Sequence, residues 1–209
     1  MATSIISRLT KWQEHNPGLF FLVRLIGLFL VLFYSTEFII AITAPGGSFY
    51  SPLADRFFDL DQWFSDFLLG AGGVLVNLTG YSTEVTGNRL VIADTSAVIM
   101  GYTCLGFGVL STWVALILAY PDRKQKQLKW KFLLGGIAGI ILLNILRIAL
   151  LAVIWHQLPN SAREVDHHLI FNLVVYGCIF LGFRKYVKSR EKLARRNLVV
   201  GSWKLEGKN

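Results

Sequence analysis

Residues 132–155 read FLLGGIAGIILLNILRIALLAVIW, a run of twenty-four residues in which Arg147 is the one charged side chain. An α-helix rises about 1.5 Å per residue, so the run exceeds the roughly 20 residues that cross a bilayer. Its small residues, Gly135, Gly136 and Gly139, permit close helix packing. It follows the segment 121–131 (PDRKQKQLKWK), in which five of eleven residues are Lys or Arg. A short basic loop of this kind marks the cytoplasmic side. The run therefore ascends from the inside, and Arg147, fifteen residues past Phe132, lies roughly 22 Å up, in the outer third of the apolar core.

The rest of the chain reads outward from this span. Leu105–Tyr120 descends into the basic loop from the other side. After a polar outer loop at 156–166 with Pro159, His167–Val187 descends again. Arg184, Lys185, Lys188, Arg190, Lys192, Arg195 and Arg196 then mark a cytoplasmic tail. Leu19–Ile42 is a first span, retained rather than cleaved as a signal peptide because it is too long and lacks a clear small-residue cleavage site. The segment 57–78 has apolar positions at helical spacing but carries Asp59, Asp61 and Asp66, which make a central crossing costly. It is expected to be an interfacial or half-embedded helix. Residues 82–103 are β-prone, with Gly87-Asn88 and Ala93-Asp94-Thr95 as turns, and are expected to form a small outer-face hairpin. The expected fold is an all-α membrane bundle of about four transmembrane helices plus that half-embedded helix and hairpin. Its parts are an N-terminal arm (1–18), a membrane domain (19–187) and a basic tail (188–209).

Composition agrees: 54% of residues are hydrophobic and only 16% charged, with a mean hydropathy of +0.51. The net charge of +8 would raise nucleic acid as a partner in a soluble protein. Here the basic residues flank apolar spans and no recognition motif accompanies them, so they read as topology signals and lipid-headgroup contacts.

Ionisable groups embedded in a membrane are functional candidates because burying them is costly. Cys104 precedes a descending span, Arg147 lies high on the ascending one and His167 opens the last. Three residues distant in sequence thus reach one level at the outer face. Cys178, eleven residues into the last span, lies near mid-membrane, reads as inert packing and is too far in depth for a disulfide with Cys104. Each residue also has a plain structural reading. A cysteine at a helix end is commonly structural, Arg147 can snorkel or pair with Glu37, Glu164 or Asp166, and His167-His168 can be an interfacial pair. No metal-ligand spacing is present, and no organic cofactor is implied. From these residues alone, three classes stand open: a cysteine enzyme, a non-enzymatic membrane assembly or transport subunit, and a membrane enzyme acting on lipid or polysaccharide.

The stretches Gly101-Tyr102-Thr103-Cys104-Leu105-Gly106 and Asn144-Ile145-Leu146-Arg147-Ile148, together with a histidine opening the final span, resemble the exosortase/archaeosortase family of membrane cysteine transpeptidases. That family has a Cys-x-Gly at the outer start of one helix, an Asn-x-x-Arg in the next and a histidine or arginine before the last. The resemblance covers roughly residues 60–187. It implies Cys104 as nucleophile, Arg147 as the group that favours the thiolate or binds an oxyanion, and His167 as general acid or base. His168 is the alternative to His167, which is favoured because Phe171 follows four residues later. Asn144 and Gly106 are implied as supporting residues. The implied partner is a protein with a C-terminal tail of recognition motif, transmembrane helix and basic cluster. Leu105 stands where the family commonly has Ser or Thr, and without the extra N-terminal spans of longer members the chain is expected to be a short variant.

Overall fold

The computed structural model describes residues 16–43, 49–92, 96–101, 104–121, 125–157 and 167–206. Six helices and a small sheet occur in the order α1 (Pro17–Thr43), α2 (Pro52–Phe58), α3 (Leu60–Asn77), β1 (Thr83–Thr86), β2 (Arg89–Ile92), β3 (Ser96–Ile99), α4 (Phe107–Ala119), α5 (Lys126–Gln157) and α6 (His167–Glu206). Two of them, α1 and α5, are long and apolar enough to cross a membrane. Helix α4 is apolar but has only 13 residues.

Aromatic contacts give the directions. Phe21 near the start of α1 packs against Tyr120 just past α4 and stacks on Phe183 of α6. Phe33, three turns later, faces Gly108 at the start of α4. Helix α1 is therefore antiparallel to α4. Helix α6 is antiparallel to α5, since Phe171 lies beneath Arg147 while Tyr186 tilts against Phe132. One end of the bundle gathers basic residues: Lys129 Nζ donates to the carbonyls of Leu118 and Tyr120, and Arg190 Nη1 donates to that of Pro121. Cys104 lies at the opposite end.

The expected single helix over 57–78 is two helices. Asp59 leaves helical geometry (φ −70°, ψ 70°), and its carboxylate accepts the Gln62 N–H at 3.1 Å, capping α3. An Asp at this position supplies one of the acceptors that a first turn lacks. Helix α3 packs along the second half of α5, where Gly72 abuts Ile148 and Tyr81, beyond the helix end, accepts from Gln157 Nε2 at 3.2 Å, while Phe64 stacks on Phe107 at the start of α4.

The expected hairpin is a three-stranded antiparallel sheet in the order β1-β2-β3. The Gly87-Asn88 turn is where it was expected, with Gly87 at φ 56° closing the Thr86–Arg89 pair. The additional strand, β3, pairs Val98 with Leu90. Its alternation buries Val98 and leaves Ile99 exposed. The Ala93–Thr95 turn lies outside the described residues. The last helix also departs from expectation, running unbroken through the basic segment to Glu206.

Two apolar clusters share α5 as their spine. One joins Leu68, Leu69 and Val76 of α3 to Leu90, Ile92 and Val98 of the sheet, and to Ile148, Ala149 and Ala152 of α5. The other joins Trp113 and Ile117 of α4 to Leu133 and Ile140 of α5, and to Val175, Ile179 and Tyr186 of α6. Asn144 and Arg147 fall at the seam between them. The outside of the bundle is apolar too: Val31, Leu150, Leu173 and Phe180 are all well exposed. A continuous belt of this kind needs lipid as its solvent.

Packing in the second cluster is tight around Trp113, whose indole N–H donates to the Leu133 carbonyl at 3.1 Å. A Cβ at Gly136 would fall within the indole ring, whereas one at neighbouring Gly135 would meet nothing within 4 Å. Gly136→Ala is expected to cost about 3 kcal/mol by overpacking. Gly135→Ala is expected to be neutral or slightly stabilising. Thermal unfolding in detergent separates the two, with a clear drop in Tm for Gly136→Ala alone.

Candidate active site

Cys104 sits in a single helical turn between the sheet and α4. Its backbone N–H donates to the Gly101 carbonyl at 2.8 Å. The sheet delivers the chain here: Met100 N–H donates to the Asn88 carbonyl at 2.8 Å, adding one rung beyond β3. Gly106 then turns the backbone left-handed (φ 79°) as the N-cap of α4, a conformation that disfavours any residue with a Cβ. The Cys-x-Gly spacing is thus a backbone requirement, because the cysteine turn must reverse into α4 within two residues.

Asn144 pins this turn from α5. Its Nδ2 donates to the carbonyls of Cys104 (2.9 Å) and Leu105 (3.2 Å). Two acceptors on one side fix the amide's orientation, since a flipped oxygen would face carbonyl oxygens. Asn144 is only 4% exposed, and among the described residues its Oδ1 has no hydrogen-bond partner.

Three residues on, Arg147 projects from the same helical neighbourhood with 7% exposure. Its Nη2 lies 3.7 Å from Cys104 Sγ. Its guanidinium carbon lies 4.6 Å from the centre of the Phe171 ring. A cation over an aromatic face within about 6 Å is electrostatically favourable, more so when desolvated. The guanidinium is held between a sulfur and a ring, and its fork can donate to an oxygen beside the sulfur.

The structure therefore brings together Cys104, Arg147, Asn144 and Gly106. His167 and His168 open α6, with His167 one turn before Phe171, but their side chains lie outside the described part of the structure. Glu164 and Asp166 lie outside it as well. Cys178 is exposed on the outer surface of α6, on the lipid-facing belt rather than in packing, and both cysteines are free. Phe171 as the ring beneath Arg147 was not anticipated as such; its spacing from His167 was the available signal. His156 was also missed. It packs edge-on against Tyr81 at 4.9 Å, two to three turns beyond Arg147.

The transmembrane exosortase family model matches residues 4–183. The chain belongs to the exosortase family. The match extends the resemblance from the 60–187 region back through α1, so the first helix is part of the family's unit. Membership also places the protein in the membrane, in accord with its apolar exterior, and in a family that is generally one of cysteine transpeptidases. No curated protein and no solved structure matches the chain.

Proposed function

We propose that this exosortase is a membrane cysteine peptidase and transpeptidase that removes C-terminal sorting tails from exported proteins and passes the shortened protein to an acceptor. The observation that carries the reading is the 3.7 Å approach of Nη2 of the buried Arg147 to Sγ of the partly buried Cys104. The contact puts a planar set of N–H donors beside the atom that would be acylated, where an oxyanion would form.

The Cys104 thiolate attacks the scissile carbonyl carbon. A C–S bond forms, and the carbonyl electron pair becomes an oxyanion that Arg147 is placed to receive. Collapse breaks the C–N bond, and the departing amine of the tail takes a proton from His167, the role its position in the family pattern gives it. The thioester on Cys104 is then resolved when a second nucleophile attacks and the C–S bond breaks. Asn144 is a positioning residue, holding the turn whose sulfur reacts.

Sidedness follows from charge. Lys129 and Arg190 meet at one end, and the basic sequences around them belong inside, so the N-terminal arm and C-terminus are cytoplasmic and Cys104 is extracytoplasmic. Helix α3, confined beside the second half of α5, lies on the outer side without crossing. A tail with its motif outside, one spanning helix and a basic cluster inside would present its scissile bond at the level of Cys104. Reconstitution tests this. The purified chain in vesicles with a tailed protein should release a fragment cut on the outer side of the tail's helix. An intact tail would count against the reading.

A further inference from the structure

Beside the cysteine turn is a second polar feature that the steps above do not use. A cavity of about 280 Å³ lies between the start of α3 and the turn, lined by Asp61, Gln62, Ser65, Asn88, Gly101 and Leu105 among others. Gly101 and Leu105 bracket Cys104 in sequence, so the cavity touches the residue whose carbonyl starts the turn and the residue that leaves it. It is built by α3 and the sheet, whereas Arg147 and Asn144 reach the turn from α5.

The lining chemistry is one-sided. Among the described residues it contains a carboxyl, a hydroxyl and two carboxamides, and no cation. Gln62 Nε2 already donates to Asp66 Oδ1 at 2.8 Å, and Asn88 Nδ2 points to the Met100 carbonyl at 3.4 Å. Each amide thus commits one of its two N–H donors within the protein. Ser65 is 5% exposed, and its hydroxyl has no hydrogen-bond partner among the described residues. A serine inside a helix ordinarily bonds back to the carbonyl one turn earlier. Here it forgoes that bond, and a buried hydroxyl left unpaired is costly. Burial, and then the neighbouring charge of Asp59, raise the carboxyl pKa of Asp61 and make it a better proton acceptor. A cavity holding a carboxyl and an unmatched buried hydroxyl fits a small group that carries N–H donors.

We infer that this cavity seats the acceptor nucleophile as a primary amine, with Asp61 receiving its proton. The inference rests on the reading of Cys104 as a thioester-forming nucleophile. The amine nitrogen attacks the thioester carbonyl, forming the C–N bond. As it does so its attached hydrogens become acidic, and one passes to the Asp61 carboxylate. Collapse of the adduct breaks the C–S bond and returns the Cys104 thiolate. Ser65 orients the amine through its hydroxyl. Water that reaches the thioester without using this cavity gives hydrolysis and gains nothing from Asp61, so occupancy of the cavity by the amine sets the partition between transfer and hydrolysis.

The test uses the full chain carrying Cys178→Ala in phosphatidylcholine vesicles. Cys104 is loaded by exchange with acetylglycine benzyl thioester, which releases benzyl mercaptan, and glycinamide is added as the amine. A parallel preparation in phosphatidylethanolamine vesicles without glycinamide distinguishes a headgroup amine from a soluble one. Transfer in either preparation supports the inference, and hydrolysis alone in both overturns it. Asp61→Asn is expected to lower the ratio of amide to acid product about a hundredfold, the low end for a general base. Ser65→Ala, the milder change, is expected to lower it about fivefold, as for one lost hydrogen bond. An unchanged ratio in both variants with normal loading overturns the inference and leaves the role of Cys104 standing. Failure of loading at Cys104 counts instead against the cysteine reading itself.

Discussion

Cys104→Ala is expected to reduce tail removal by at least about a thousandfold, as loss of the nucleophile does where catalytic groups act as a unit. The full-length tailed protein should accumulate in the membrane, readable as a size shift on a gel. The variant should fold normally. Cys104 is only partly buried, and the bonds that hold its turn are made by its backbone: its N–H to Gly101, its carbonyl from Asn144. Removing the sulfur leaves all of them in place. Cys104→Ser is expected to fail nearly as badly, because a hydroxyl is far less nucleophilic than a thiolate beside the same guanidinium. Cys178→Ala, on the exposed surface of α6, serves as the control and should process at the parental rate.

Arg147→Lys carries the second-largest expected effect, a loss of about a hundredfold in turnover. The charge is kept, so a merely electrostatic contribution to burial or topology would survive. What is lost is the planar fork, which alone can lie across the Phe171 ring while directing an N–H toward the site of the sulfur. Arg147→Gln should lose as much again, since it also removes the charge. Unfolding temperatures should fall only modestly in Arg147→Lys. A collapse of stability with parental activity in the residual folded protein would make Arg147 a structural residue.

Much of this architecture can be read from composition. The runs 19–42 and 132–155 are long enough that no soluble element competes with a span, and both appear as long helices. The level of Arg147 relative to Cys104 needed only a helical rise. Other features turn on quantities a linear pattern does not hold. The break at Asp59 depends on a backbone angle, and its aspartates read equally well as the polar side of one continuous helix. Residues 82–103 show β-propensity clearly, yet whether two or three segments pair depends on what covers them, here α3 and α5. The contact of Phe171 with Arg147 depends on how α5 and α6 are rotated about their own axes, which hydropathy leaves undetermined. Asn144 was legible as a polar residue one turn before Arg147, but its partners, the carbonyls of the cysteine turn forty residues away, come only from the packing of α4 against α5.

Everything proposed for the site depends on the chemistry at one sulfur. Mixing the reconstituted chain with a tailed protein, quenching in acid and measuring the mass of the fragment containing Cys104 decides it. An adduct corresponding to the truncated protein, held through Cys104 and discharged by hydroxylamine, is the predicted result. Release of the tail with Cys104 never acylated would contradict it.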